Sequence, residues 1–433
     1  MREKYRFVAQ VCIRLLVSIL TGFVLLLLAY CLPTGQMRQN VAESIEQVAS
    51  EGNYFQWAKG YKNAQSDTYT DASLILNAIY PGSGHLMQDA MNAPRILYGE
   101  DNNEQSVVLL AAGEERETHE VFYGRYWHGS LIFLKPMLLL FDLADIRMIS
   151  MILQMGLLFL VIVGMVKREM VKPLIGLFLS VILLNPVSMI MSFCFSVEYI
   201  LMLAFTAYVL FHHEKLCEGW RYYFFFLING IFFVYFNELS FPMIGFGIPM
   251  TVYLLLSEET AMEKVKKEFA YGVMWLLGYG TMWIGKWILS WMITGFNYFA
   301  EAMEQAKRYT SDHATWEVEN PSIWDRLLKN LNVYFKWPYL LLLALLLLLI
   351  AFYLIRGYKN ISRDNIVQML PYFLMTLFPL AIWVILGNGY SYVHYWFTHR
   401  LISISAFAGI CMILQLTEKK RDDMFYEKSN FIR

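Results

Sequence analysis

The sequence predicts an all-α polytopic membrane protein with about ten transmembrane helices. Of its 433 residues, 57% are hydrophobic and only 16% are charged, whereas a soluble protein has about a quarter charged residues. Apolar stretches suited to membrane spans, which need about 20 residues each, recur along the chain. Lys and Arg are concentrated in alternate loops. These observations exclude an ordinary soluble fold, and we expect one membrane domain over residues 1–433.

The first predicted span, 7–32, follows a basic N-terminus. Its apolar run is longer than that of a cleavable signal peptide, so we interpret it as an anchor. The other nine spans are predicted at 148–166, 172–186, 197–212, 220–237, 240–256, 269–295, 338–355, 366–387 and 400–416. The shorter stretch 131–143 is broken by Lys135-Pro136, and we predict that it lies flat at the membrane surface as an interfacial helix.

The distribution of Lys and Arg predicts the orientation, because these residues gather in cytoplasmic loops. With 131–143 at the interface, one set of loops and termini contains 19 of the 35 basic residues in about 65 positions. The opposite set contains 14 in about 170 positions. The enrichment is more than threefold, so we expect a multi-pass protein of the cell membrane with both termini in the cytoplasm.

In this topology the polar residues gather on the external side. A long external segment, 33–147, contains 8 basic and 15 acidic residues, and a second, 296–337, is rich in aromatic and charged residues. A short external turn spans 387–400, and the tail 417–433 is cytoplasmic. The net charge of −1 gives no basic excess of the kind that nucleic-acid binding requires.

The five cysteines form no CxxC pair and lie in or beside apolar stretches, so we expect no disulfide framework or cysteine metal site. They are Cys12, Cys31, Cys194, Cys217 and Cys411.

Several charged residues of the external side are candidates for a functional site. Asp71 follows Thr70 where a helix begins, so either residue is a candidate helix cap, and Asp71 is equally a candidate functional acid. Arg125 and His128, in Gly124-Arg125-Tyr126-Trp127-His128-Gly129, suit either an interfacial aromatic belt or a phosphate site.

Five further charged or titratable residues lie at or within the membrane boundary. Glu198 and Glu238 fall in predicted external turns, where a carboxylate beside lipid is costly unless it is paired or functional. Lys286 is the clearest intramembrane cation, and it must face the protein interior or a wet cavity, or extend to the interface. His394 and Arg400 bracket the last external turn. The cations on this side suit a lipid-linked phosphate or diphosphate.

This pattern resembles the GT-C superfamily of membrane glycosyltransferases. The order is similar: a first span, a long external loop with an early acid at Asp71, an interfacial helix with Lys135-Pro136, and Arg147 opening the second span. The turn from Asn185-Pro186 to Glu198 is similar to that superfamily's second external turn. The strings RYWHG, NELSFP and YSYVHYWFTHR also resemble those of uncharacterised polytopic proteins from Gram-positive anaerobes.

The resemblance implies a GT-C-like fold and an enzyme that moves a sugar from a polyprenyl-phosphate donor to a glycan, lipid or protein acceptor outside the membrane. Asp71 would be the general base and Glu198 a second catalytic acid that orients a cation or an acceptor hydroxyl. Glu238 is an additional candidate. The residues expected to bind the phosphate are Arg125, His128, Lys286, His394 and Arg400.

The chain departs from the superfamily in two features and leaves two other functions open. It lacks the paired acidic residues of many members, so a divalent metal is not supported by a motif, and it has no sizeable soluble C-terminal domain. A polysaccharide polymerase or ligase would act on the same lipid-linked sugars without an acidic base. A flippase or transporter would show internal repeats with broken helices, and no convincing repeat is present.

Overall fold

The structure, a computed structural model, describes residues 2–99, 102–310 and 321–418. Part of the second predicted external segment, 311–320, and most of the predicted tail, 419–433, lie outside the described residues. The protein is 77% helical and has almost no sheet. This confirms the predicted all-α class.

The first long polar segment folds into short helices and one β-hairpin. It follows α1 (Arg2–Tyr30), and its helices are α2 (Thr34–Ala42), α3 (Ile45–Glu51), α4 (Thr68–Ala78), α5 (Leu86–Asn92), α6 (Asn103–Ala111) and α7 (Leu131–Leu138). Strands β1 (Pro94–Tyr98) and β2 (Thr118–Phe122) pair antiparallel. The segment is therefore folded, with its own secondary structure.

The rest of the described chain is also almost entirely helical. Its middle part contains α8 (Leu143–Lys167), α9 (Leu174–Leu184), α10 (Pro186–Met191), α11 (Phe193–Leu216), α12 (Arg221–Phe236), α13 (Ile244–Leu256) and α14 (Ala261–Thr294). The second polar segment contains α15 (Tyr298–Thr310) and α16 (Ile323–Asn332), and the last part contains α17 (Trp337–Gly357), α18 (Arg363–Gln368), α19 (Leu370–Ile385), α20 (Tyr395–Thr398) and α21 (Ile402–Thr417). The predicted turn 387–400 is wound into short helical turns.

Six helical stretches of the described chain are long and apolar enough to cross a membrane. They are Arg2–Tyr30, Leu143–Lys167, Phe193–Leu216, Trp337–Asn360, Arg363–Ile385 and Tyr395–Thr417. The other four predicted spans are helical as well: α9, α12 and α13 are shorter apolar helices, and α14 is 34 residues long. These helices give the protein the character of a multi-pass membrane protein.

Helices α12 and α14 make the closest helix–helix contact of the bundle through two glycines. A Cβ atom at Gly230 would lie 2.1 Å from the Trp275 carbonyl oxygen, and one at Gly278 would lie 2.1 Å from the Leu227 carbonyl oxygen. Since no side chain fits at either position, the two backbones touch, as small residues allow in membrane helix pairs. This contact fixes α14 beside α12.

Helix α7, within the stretch predicted to be interfacial, is too short to cross a membrane. Its eight residues extend about 12 Å at 1.5 Å per residue, less than half of the hydrocarbon thickness. Lys135 is buried in the protein, where its Nζ donates a hydrogen bond to the Ala78 carbonyl oxygen at 2.7 Å. The helix is thus held against α4.

Arg400 joins the first polar segment to the helix bundle. Its fully buried guanidinium donates through Nη2 to the Asn63 and Gln65 carbonyl oxygens at 3.1 and 2.7 Å. Through Nε it donates to the Leu184 carbonyl oxygen at 3.3 Å, and through Nη1 to that of Trp396 at 3.0 Å. One side chain therefore connects 63–65, the end of α9 and α20.

We expect Arg400→Ala to destabilise the protein strongly, because it leaves several buried carbonyl oxygens without a donor, a loss on the order of 3 kcal/mol. Arg400→Lys should rescue little, since an ammonium group lacks the planar fork of donors. Arg221→Ala is the control, because Arg221 pairs with Glu218 while both side chains are exposed. Thermal unfolding in detergent measures the effect, and equal midpoints for the Arg400→Ala and Arg221→Ala proteins would contradict it.

Candidate functional site

A cavity of about 720 Å³ lies where the polar segments meet the ends of the helices. Its walls come from 54–70, 123–126, 238–243 and 386–397, with single residues from α14, α15 and α16. Its aromatic lining residues are Tyr54, Tyr69, Tyr123, Tyr126, Trp283, Tyr390, Tyr392, Tyr395, Trp396 and Phe397. The volume is in the range of small-molecule sites. The parts of the chain predicted to be external thus supply most of its wall.

Two carboxyl groups of the described residues line the cavity, and Asp67 is one of them. It is also the N-cap of α4, since its Oδ1 accepts a hydrogen bond from Thr70 N at 3.0 Å and its Oδ2 accepts one from Thr70 Oγ1 at 2.8 Å. Burial raises the pKa of Asp67 to about 7, against the opposing effect of the Thr70 hydrogen bonds. A carboxyl group with such a pKa can exchange a proton near neutral pH. The predicted caps, Thr70 and Asp71, are therefore wrong, and the helix begins earlier.

The second carboxyl group, Glu238, shares a proton with His128. Glu238 Oε1 lies 2.5 Å from His128 Nδ1, and the His128 Nε2 atom lies 2.9 Å from the Tyr123 carbonyl oxygen. Because a carbonyl oxygen only accepts, Nε2 carries a hydrogen. A further proton must then lie between Nδ1 and the carboxyl group, giving an imidazolium–carboxylate pair or a neutral pair. Both side chains are nearly fully buried.

The backbone is strained around this pair and at the cavity wall. Three non-glycine residues with positive φ occur here: Tyr54 at 60°, His128 at 53° and Leu239 at 70°. Such conformations cost of order 1 kcal/mol each and persist only where the surrounding contacts impose them. Strain of this kind clusters at functional sites, which favours a functional role for the cavity.

Two lysines place positive charge in the cavity. The Nζ of Lys329, on α16, lies 3.6 Å from the ring centre of Tyr392 and 4.7 Å from that of Tyr395. The Nζ of Lys62 lies 5.8 Å from the ring centre of Tyr395 and donates a hydrogen bond to Gln65 Oε1 at 2.7 Å. The two ammonium groups therefore lie near a single aromatic ring.

His394, predicted from the sequence to bind phosphate, also lines the cavity. Its Nδ1 lies 2.6 Å from the Gly389 carbonyl oxygen, so Nδ1 carries the hydrogen. Burial lowers the pKa of His394 below its usual range. The ring is therefore neutral at pH 7 and adds no positive charge to the cavity.

Asp71 lies one turn along α4 from Asp67 but does not line the large cavity. Its carboxylate accepts hydrogen bonds from Phe193 N at 2.8 Å and Cys194 N at 2.9 Å, and so caps the start of α11. Burial raises the pKa of Asp71 to about 6, although the amide hydrogen bonds oppose this. Asp71 borders a separate cavity of about 40 Å³, which has room for a water molecule or two.

Arg125 and Lys286 do not line the cavity. Arg125 forms an ion pair with Glu301 at 2.7 Å. Lys286 is fully buried, and its Nζ donates to the carbonyl oxygens of Ala90 and Met91 at 3.3 and 3.0 Å. Of the three alternatives predicted for Lys286, namely the protein interior, a wet cavity or the interface, the structure shows the interior. The phosphate role of both residues stays a prediction.

Glu198 and Arg400 are buried beneath the cavity. Glu198 accepts hydrogen bonds from the side chain of Asn237 and from Phe241 N, which holds the loop that carries Glu238. Arg400 binds the carbonyl oxygens described above, which holds the wall that carries Asp67. Their catalytic and phosphate roles stay predictions, and the contacts give both residues a positioning role.

Asp67, Lys62 and Lys329 line the cavity but are not among the residues predicted from the sequence. A signal for Asp67 was present, since it precedes Thr70 by the three residues typical of an N-cap and its amide partner. The two lysines carry no such signal, because only the tertiary fold brings them to the Tyr395 ring. Among the described residues, no group of three or more His, Cys, Asp or Glu side chains is placed to bind a metal ion.

No family model, curated protein or solved structure matches the chain.

The raised pKa of Asp67 predicts a pH-dependent stability. Between about pH 4 and pH 7 the folded protein keeps a proton that the unfolded chain releases, so this group's contribution falls as the pH rises, by up to about 1.4 kcal/mol per pH unit. Asn is an equally good N-cap but does not titrate. We therefore expect the Asp67→Asn protein to gain stability over the wild type as the pH is raised.

Thermal unfolding of both proteins from about pH 5 to about pH 8 checks this expectation. The matched control is Asp142→Asn, because Asp142 also caps a helix, accepting a hydrogen bond from Asp145 N at 2.8 Å, and lies outside the cavity. A constant difference between the Asp67→Asn and wild-type midpoints across this range would contradict the assigned pKa.

Proposed function

We propose that the protein is a GT-C-like membrane glycosyltransferase that moves a sugar from a polyprenyl-phosphate donor to an acceptor hydroxyl on the external side. The observation that supports this function best is the single aromatic cavity that contains both Asp67 and the lysine pair, Lys62 and Lys329. Tyrosine and tryptophan faces suit the C–H faces of sugar rings. The lysines suit a phosphate, and Asp67 suits an acceptor hydroxyl.

In the proposed reaction, Asp67 takes the proton of the acceptor hydroxyl as its oxygen forms a bond to the anomeric carbon. The bond between that carbon and the phosphate oxygen breaks, and its electron pair leaves with the polyprenyl phosphate. Lys62 and Lys329 stabilise the negative charge that develops on this phosphate. A base with a pKa near 7 suits this step, because it is deprotonated in a useful fraction of molecules and still binds a proton.

We propose Asp67 as the base in place of Asp71, the residue that the sequence pattern favours. Asp67 lines the cavity, whereas the oxygens of Asp71 accept hydrogen bonds from the start of α11. Glu238 and His128, which share a proton at the cavity wall, are proposed to orient the acceptor. Arg400 and Glu198 position the two walls.

We expect Asp67→Asn to abolish sugar transfer in a cell that lacks the native chain, with normal levels of protein in the membrane. Mass spectrometry of the surface glycans measures transfer, and Asp142→Asn is the control that should retain it. Asp71→Asn should lower stability and leave residual transfer. Full transfer by the Asp67→Asn protein would remove Asp67 from the role and favour a polymerase or ligase without an acidic base.

We further propose ten spans with both termini in the cytoplasm, with α9, α12, α13 and α14 added to the six long apolar stretches. A membrane-impermeant maleimide should then label a cysteine introduced at Glu115, an exposed position of the first polar segment, in intact cells. Cys217, exposed between α11 and α12, should react only after the membrane is opened. Labelling of Cys217 in intact cells would contradict the proposed orientation and indicate the opposite one.

A further inference from the structure

Helix α16 turns two of its polar residues inward and two of its large apolar residues outward, while Leu327 and Leu331 pack against the core. Arg326 and Asn330, one turn apart, are buried. Trp324 is 71% exposed and Leu328 is 51% exposed, and they also lie one turn apart. A helix on a protein surface in water shows the opposite arrangement. The outer face of α16, formed by Trp324 and Leu328, therefore needs an apolar environment outside the protein.

Three hydrogen bonds to other parts of the chain hold the inward polar face of α16 in place. Asn330 Nδ2 donates to the Ser391 carbonyl oxygen at 2.7 Å, and Asn330 Oδ1 accepts from Thr398 Oγ1 at 2.8 Å. Arg326 Nη1 donates to the Val384 carbonyl oxygen at 2.9 Å. These bonds fix which way α16 faces, and a rotation that buried Trp324 would break all three.

The position of α16 along the membrane normal follows from its neighbours. It ends four residues before α17, a helix of 21 residues whose apolar side chains are unburied. That length, about 32 Å, matches the hydrocarbon thickness, which places Trp337 at the boundary. Between the two helices, Tyr334 Oη donates to the Leu183 carbonyl oxygen at 3.1 Å, near the end of α9. This contact holds the segment between α16 and α17 beside the end of α9.

We propose that the outer face of α16 lies in the lipid headgroup layer of the membrane that α17 crosses. Trp is enriched at this depth, where its ring is amphipathic enough to suit both phases. The outer face continues into Phe335, which is 60% exposed, and Trp337, which is 76% exposed, and from there into the lipid-facing side of α17. The inferred lipid contact is therefore one continuous surface.

Lipid fits this face better than a second copy of the chain does. Without α17, which itself faces lipid, the outer face of α16 offers a few hundred Å² at most, since an aromatic residue buries roughly 150–250 Å². A stable protein–protein interface needs about 800 Å² from each partner. Contact with lipid headgroups and upper acyl chains has no minimum area, because lipids cover any apolar surface at that depth.

Photocrosslinking in nanodiscs of phosphatidylcholine and phosphatidylglycerol tests the inference. A benzophenone amino acid replaces Trp324, which is exposed enough to tolerate a side chain of similar size. A second variant has the same substitution at Leu328. Leu341 on α17, 51% exposed, is the positive control, and Glu115 in the first polar segment is the negative control. Mass spectrometry after illumination identifies what each position has captured.

Adducts of phospholipid mass at Trp324 and Leu328, as at Leu341 and unlike Glu115, are the expected result. A cross-linked dimer would assign the face to a second copy, and a cross-link within the chain would assign it to another segment. Either result overturns the inference, as does the absence of any adduct at both positions while Leu341 reacts. The outcome does not depend on sugar transfer, so this inference and the proposed function fail separately.

Discussion

The buried guanidinium of Arg400 is the interaction on which the candidate site depends. A cation removed from water is expensive unless several acceptors surround it, and Arg400 meets this need with carbonyl oxygens from the first polar segment, α9 and α20. It also lies over the ring of Phe195, 4.7 Å from its centre. Because the acceptors belong to three parts of the chain, satisfying one charge requires all three to be in place.

The hydrogen bonds of Arg400 and Glu198 also fix two walls of the cavity, because each of the two side chains makes one to backbone within three residues of a carboxyl group that lines it. Arg400 binds the carbonyl oxygen of Gln65, two residues before Asp67, so the carboxyl group is held near the bundle. On the other wall, Glu198 binds Phe241 N, three residues after Glu238. Arg400 and Glu198, both fully buried, thus hold the loops that carry Asp67 and Glu238. The contacts of these two residues, which the sequence places at the membrane boundary, therefore have a structural explanation.

The sequence predicted the helices well and the site less well, for a physical reason. A membrane span is a local property of about 20 apolar residues, and all ten predicted stretches are helical. A site depends on which charged groups the tertiary fold brings to one cavity. Lys286 and Arg400 are predicted phosphate ligands because each is a lone cation, and only the fold shows that both donate to backbone carbonyl oxygens. The pairing of Glu238 with His128, 110 residues apart, leaves no local pattern at all.

Asp67 and Asp71 have different hydrogen-bond partners, although both belong to the same part of the chain. The two residues are one turn apart on α4, and both are buried. Asp67 caps its own helix and faces the cavity, while Asp71 faces the start of α11 and stabilises the amides there, where a negative charge is favourable. Helix α4 therefore links the cavity to the bundle through two carboxyl groups with different partners. If Asp71 were also the base, proton transfer would weaken the contact that positions α4, whereas Asp67 can titrate with the contact to α11 intact.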